Sequence, residues 1–204
     1  MKATIFDYGA GNLHSLIKAI EGDDIVVSIE RHGAQAISTD VLVLPGVGAF
    51  ATAVDRLGDE RHAMRDAILG GLPIIGICLG MQLLFERSEE GRGEGLGVIP
   101  GDVTRLEAHR IPQIGWNQIE HPDDDSSFAG SLPQMAYFAN SFACRPRDER
   151  VVRAWTTHER DRFPSVVRVA NTVGVQFHPE KSSADGVRFL RSLVRDLCGA
   201  ALTP

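Results

Sequence analysis

Leu72-Pro73-Ile74-Ile75-Gly76-Ile77-Cys78-Leu79-Gly80-Met81-Gln82 is the stretch on which the reading of this chain turns. Residues 72–77 form a short apolar run without polar alternation. That pattern marks a strand covered on both faces, as in a parallel sheet. A G-x-C-x-G turn follows at once, and a helical pattern starts at Leu79. A cysteine on a sharp strand-to-helix turn is the layout of a thiol nucleophile for acyl transfer. Gly76 and Gly80 relieve crowding around such a turn. The N–H groups and positive dipole end of the following helix favour the thiolate. The ordinary state of a free cysteine is a buried, inert thiol. Cys144 and Cys198 read that way, because neither stands on such a turn.

Working outward, residues 3–6 read as a strand and 13–20 as a helix that Asn12 would cap. Strands at 25–29 and 41–44, a helical stretch at 51–69 with a break at Gly58, and a helix from 79 to about 87 complete the first half. Short apolar strands alternating with helices predict a parallel sheet covered on both faces. The second half changes to strand-like segments at 98–106, 114–119, 135–142, 151–156, 165–169 and 172–177, closed by an amphipathic helix at 183–197. The acidic run Asp123-Asp124-Asp125-Ser126-Ser127 reads as a solvated loop. The expectation is one α/β domain over residues 1–204. Its sheet is open, mixed and mostly parallel, flanked by helices, with a smaller antiparallel extension.

A chain of 204 residues can bury a sizeable core, and its net charge of −6 argues against nucleic acid or acidic membranes as partners. Three cysteines, an odd number without metal-type spacing, suit a reducing cytoplasm better than a disulfide scaffold. No apolar run approaches the roughly 20 residues of a membrane span. A cytoplasmic protein without cofactor or metal is expected.

His178-Pro179-Glu180 stands directly after the 172–177 strand. If the chain stays extended there, side chains two apart point the same way, and Pro179 biases His178 toward such geometry. The carboxylate would then fix the imidazole tautomer and stabilise the imidazolium. A surface histidine beside a solvated glutamate is the bland alternative, and no other ligands are spaced for zinc. Pro45-Gly46-Val47-Gly48-Ala49-Phe50 follows the 41–44 strand. It is either a plain turn or a loop presenting N–H groups to an oxyanion, with the Leu79 N–H as second donor. One such donor is typically worth about 3 kcal/mol in the transition state. Asp7-Tyr8-Gly9-Ala10-Gly11-Asn12 resembles the start of a dinucleotide fingerprint but fails, because the third glycine position is His14.

Gly76-Ile77-Cys78-Leu79-Gly80-Met81-Gln82, joined to Gly174-Val175-Gln176-Phe177-His178-Pro179-Glu180-Lys181-Ser182, resembles the class I (triad) glutamine amidotransferases, with their flavodoxin-like core. The stretches Asp7 to Leu13, Pro45 to Phe50 and Gly115-Trp116-Asn117 narrow the resemblance to the glutaminase subunits of imidazole glycerol phosphate synthases. It runs from about residue 4 to 193. The resemblance implies that Cys78 attacks the glutamine side-chain amide, that His178 moves the protons and that Glu180 orients His178. It implies Gly48 and Leu79 as oxyanion donors. It implies Gln82, Glu90, Ser141 and Phe142 as substrate-binding residues, Glu90 through the α-amino group. It also implies a (β/α)8-barrel cyclase subunit as partner. That subunit would receive ammonia and turn PRFAR into imidazole glycerol phosphate and AICAR. Asn12, Trp116, Tyr137 and Lys181 match positions facing that partner, and each is otherwise an ordinary surface or half-buried residue. The family segment usually reads Tyr-Phe-Val-His-Ser-Tyr. Here it reads Tyr137-Phe138-Ala139-Asn140-Ser141-Phe142, so Asn140 can hydrogen-bond but carry no charge.

Three other readings compete. A glutaminase serving a different synthase is disfavoured by the Asp7–Leu13 and Gly115–Asn117 stretches. A catalytically silent binding domain is disfavoured by the intact Cys78, His178 and Glu180. A cysteine peptidase of similar fold would cleave peptides instead of releasing ammonia from free glutamine.

Overall fold

Ile74-Ile75-Gly76-Ile77 is buried along its whole length in the computed structural model, which describes residues 1–9, 13–121, 128 and 130–200. The chain order is β1 (Lys2–Phe6), α1 (Leu13–Ile20), β2 (Val26–Glu30), α2 (Gly33–Ala36), β3 (Val41–Leu44), α3 (Phe50–Leu57), α4 (Glu60–Leu69), β4 (Ile74–Ile77), α5 (Leu79–Leu83), β5 (Arg87–Ser88) and β6 (Gly101–Arg105). It continues through β7 (Gln113–Gln118), β8 (Met135–Asn140), β9 (Phe142–Pro146), β10 (Val152–His158), β11 (Asp161–Val169), β12 (Thr172–Val175) and α6 (Ser183–Ala200).

Seven strands make the main sheet, in the order β10-β11-β12-β4-β3-β1-β2. The five from β12 to β2 run parallel, and β10 and β11 add an antiparallel edge. Alternate residues of each strand enter opposite layers. Ile75 and Ile77 pack with Phe177, Phe189 and Leu193 on the α1/α6 side. Ile74 packs with Leu42, Leu44, Phe50 and Met64 on the α3/α4 side. Each such side chain contributes about 1.5–3 kcal/mol by leaving water, which is why these strands carry no polar alternation. Two small sheets, β5-β6-β9 and β7-β8, form the extension. No helix among the described residues is long and apolar enough to cross a membrane.

Three expectations are corrected. The helix from Leu79 ends at Leu83 instead of about 87. A returning segment takes its carbonyls: Leu96 N–H donates to Leu83 O at 2.7 Å, Ile99 to Leu84 O at 3.0 Å, Gly97 to Phe85 O at 3.1 Å and Gly95 to Glu86 O at 2.8 Å. Those oxygens would otherwise accept the next helical turn. The strand expected over 135–142 is two strands. β8 pairs with β7, β9 pairs with β6, and the chain changes sheet at Ser141. β11 begins at Asp161 rather than 165, with Pro164 tolerated beside a bulge in the pairing with β10. The break at Gly58 falls between α3 and α4, where Gly58 has φ 50°. Asn12 as a helix cap, and the 123–127 loop, lie outside the described residues.

Candidate active site

β4 and β12 are parallel neighbours with Ile77 opposite Val175. Their carboxyl ends therefore coincide, and the residues that follow, Cys78 and His178, emerge at the same edge. The Cys78 N–H donates to Val175 O at 2.7 Å. Cys78 has φ 53°. A left-handed conformation at a non-glycine residue is strained and is held only by its surroundings. Those surroundings are tight: a side chain at Gly76 would lie 2.6 Å from Gly80 O, and one at Gly80 would run into the Leu44 carbonyl. Only glycines let α5 start so close to β3 and β4.

The sulfur lies 4.0 Å from Ala139 O and 3.7 Å from Gln176 Nε2, which donates to it. Gln176 Oε1 in turn accepts from Gln82 Nε2 at 3.3 Å, and Gln82 Nε2 also reaches Phe142 O at 3.2 Å. Gln176 thus ties the sulfur to the β8–β9 crossing. The sequence reading assigned it no role. Its signal is a polar side chain, fully buried, between the apolar Val175 and Phe177.

His178 Nδ1 is 2.9 Å from Glu180 Oε1, with both side chains nearly buried. The chain is not extended throughout, as the sequence suggested. His178 is, but Pro179–Lys181 forms a 3₁₀ turn. The turn brings the carboxylate back onto Nδ1 all the same. The neck is pinned twice more: His178 N–H donates to Tyr137 O at 2.8 Å, and Ser182 Oγ to His178 O at 2.7 Å. With Nδ1–H given to the carboxylate, Nε2 is left for chemistry. It meets no hydrogen-bond partner of good geometry among the described residues, yet it is coupled to Cys78. Burial pushes the imidazole pKa down, but the charge of Cys78 and the bond to Glu180 outweigh burial and raise it to about 10. The protonated imidazole is the form these neighbours favour.

Gly48 has φ +126°, and nothing among the described residues lies within 4 Å of where its side chain would be. Tyr8 steadies the root of this loop. It is buried, its hydroxyl donates to Pro45 O, and its phenol pKa is raised by burial first and by Cys78 second. Gly48, Cys78, Leu79, Gln82, Glu90, Ser141 and Phe142 all line one cavity of about 130 Å³. Larger cavities exist elsewhere, so chemistry and not volume picks out this one. Glu90 accepts the Phe50 N–H at 2.7 Å. Asn140 Nδ2 donates to Phe142 O at 3.1 Å. Trp116 and Tyr137 meet edge to face at 6.5 Å, with Lys181 Nζ 5.8 Å over the Tyr137 ring. Those three form one patch beside the 3₁₀ turn, while Asn12 lies outside the described residues.

The family model described as Glutamine amidotransferase class-I matches residues 4–196. The chain belongs to that family. Its relatives include the imidazole glycerol phosphate synthase subunit HisH of Pyrococcus furiosus, 41% identical over 196 residues and covering 95% of this chain and 98% of that protein. The protein of the same name from Acaryochloris marina is 37% identical over 207 residues, covering 98% and 97%. Among solved structures, PurLQS from Thermotoga maritima matches with TM-score 0.74 at 18% identity, over 96% of this chain and 98% of that one. That likeness concerns the fold alone.

Proposed function

We infer that this chain is the glutaminase subunit of an imidazole glycerol phosphate synthase, acting in histidine biosynthesis as a single cytoplasmic unit over its whole length. The observation that carries the reading is the common edge of β4 and β12, which sets Cys78 beside a histidine already bonded to Glu180. Relatives at about 40% identity over nearly the whole chain support the particular pathway.

The ionised Cys78 sulfur attacks the side-chain amide carbon of glutamine. The carbonyl oxygen becomes an oxyanion, received by the N–H groups of Leu79 and Gly48. His178 gives its proton to the nitrogen, the carbon–nitrogen bond breaks, and ammonia leaves a γ-glutamyl thioester on Cys78. His178, now neutral, takes a proton from water, which attacks the thioester. Glutamate departs and the sulfur and imidazolium are restored. Glu180 holds the tautomer throughout. Glu90 receives the α-amino group, while Gln82, Ser141 and Phe142 bound the substrate.

Ammonia then passes to a (β/α)8-barrel cyclase subunit, which uses it with PRFAR to form imidazole glycerol phosphate and AICAR. The patch of Trp116, Tyr137 and Lys181, together with Asn12, faces that subunit. Exposed aromatic area of this kind is typical of interface anchors. The test is glutamate release from glutamine by the purified chain, alone and then with the cyclase and its ribulosyl ligand. Strong activation by the pair is expected. Glutaminase activity indifferent to the cyclase would assign the chain to another synthase.

A further inference from the structure

A second cavity, of about 460 Å³, opens between α4 and the segment 86–97. Four guanidinium groups line it: Arg61 and Arg65 from α4, Arg87 from β5 and Arg147 just beyond β9. Glu86 and Glu94 are the carboxylates among its described lining residues, and Asp102 reaches Arg87 from outside the lining. The chain as a whole carries −6, so the cavity reverses the local sign. The carboxylates cancel it only in part, leaving Arg61 and Arg65 without an ion-pair partner among the described residues. Glu86 is held by Arg147 and by the Gly101 N–H at 3.1 Å. Arg61 spends one N–H on the backbone carbonyl of Glu94 at 2.6 Å, and Arg87 pairs with Asp102 at 3.1 Å. Arg65 pairs with no carboxylate among the described residues. The imidazole of His62 also lines the cavity. One wall is preformed, because the Gly95–Gly97 backbone is bonded to the 83–86 carbonyls.

We propose that this cavity binds a phosphoryl-bearing anion of diphosphate size, held chiefly by Arg61 and Arg65. Guanidinium forks match pairs of phosphate oxygens, and several of them around a walled recess focus the field on an anion. The volume falls in the range of small-molecule sites and exceeds what one phosphate would fill. The site is separate from the Cys78 cavity and does not depend on the glutaminase reading.

Isothermal titration of the full chain with inorganic pyrophosphate, inorganic phosphate and ADP, at matched ionic strength, tests it. One saturable pyrophosphate site per chain is expected, with Kd below about 1 mM and weaker binding as salt rises. ADP binding as tightly as pyrophosphate assigns the site to a nucleotide's diphosphate; pyrophosphate alone assigns it to the free anion. Arg65→Glu should weaken binding at least about tenfold. It should leave the melting temperature within about 2 °C, because Arg65 pairs with no carboxylate among the described residues. Arg61→Ala provides a second variant. No saturable binding of any of the three anions below about 10 mM, or pyrophosphate affinity unchanged in both variants, would overturn the proposal.

Discussion

Two glycine turns stand side by side at the carboxyl ends of β3 and β4, and they are built in opposite ways. At the β4 turn Gly76 and Gly80 are pressed against backbone from both neighbouring elements, and Cys78 between them is held at φ 53°. At the β3 turn Gly48 is exposed, with open space where a side chain would be. Its root is fastened by the Tyr8 hydroxyl, but its tip is not. Backbone packed on all sides has one conformation, whereas an unpacked glycine at positive φ can exchange between several. The proposed nucleophile is therefore set in advance. On the proposed function, the Gly48 oxyanion donor is the part that a substrate or a docked subunit would move, and control of rate would belong there.

The largest test of this contrast removes the sulfur. Cys78→Ala should lower glutaminase activity by more than about 10⁴-fold, with the circular dichroism spectrum and partner binding retained. Substantial residual turnover would end the nucleophile assignment. Next comes the packed turn. Gly80→Ala should cost about 3 kcal/mol or more in denaturant unfolding, because the new methyl meets the Leu44 carbonyl, which cannot yield. A near-neutral result would mean that the elbow is loose.

The open turn should answer differently. Gly48→Ala ought to shift the melting temperature by about 2–8 °C at most, the cost being backbone strain alone, since no neighbour among the described residues is struck. It should lower kcat by about tenfold, the loop losing its left-handed conformation at a cost of about 1–2 kcal/mol. If stability drops and kcat holds, the two turns have been assigned the wrong way round.

The last test concerns pH. The folded pKa of His178 is raised from its ordinary value near 6.5 to about 10. A raised folded value means that the folded state holds a proton the unfolded chain has lost. The stabilisation is thus fully present below about 6.5 and fades as pH climbs to about 10. Melts of the chain and of His178→Asn across that window should show the gap between them narrowing with rising pH. A gap that widens would refute the raised pKa of His178.

Much of this was legible along the chain, for local reasons. β3 and α1 have the expected bounds, because each is set by an apolar run or an apolar face. The Gly76–Gly80 turn was readable because small residues flank a lone cysteine between strand and helix. Gln176 was passed over because its role is to reach Cys78 and Gln82, residues 98 and 94 positions away. The halt of α5 at Leu83 was hidden for the same kind of reason. Nothing in residues 79–87 forbids helix, and the competitor for its carbonyls arrives from 95–99.

The order of elements, the parallel character of the sheet and the residue types able to do thiol chemistry were all decided by local pattern. Periodicity and turn chemistry act over a few residues, and those residues are written consecutively. Which strand ends meet was decided only in three dimensions. Strand order sets β12 beside β4, so that His178 arrives at Cys78 across a hundred positions. The change of sheet at Ser141 carries Ser141 and Phe142 into the same cavity. Such pairings follow from how whole layers bury their faces against each other, and no short window of residues contains that competition.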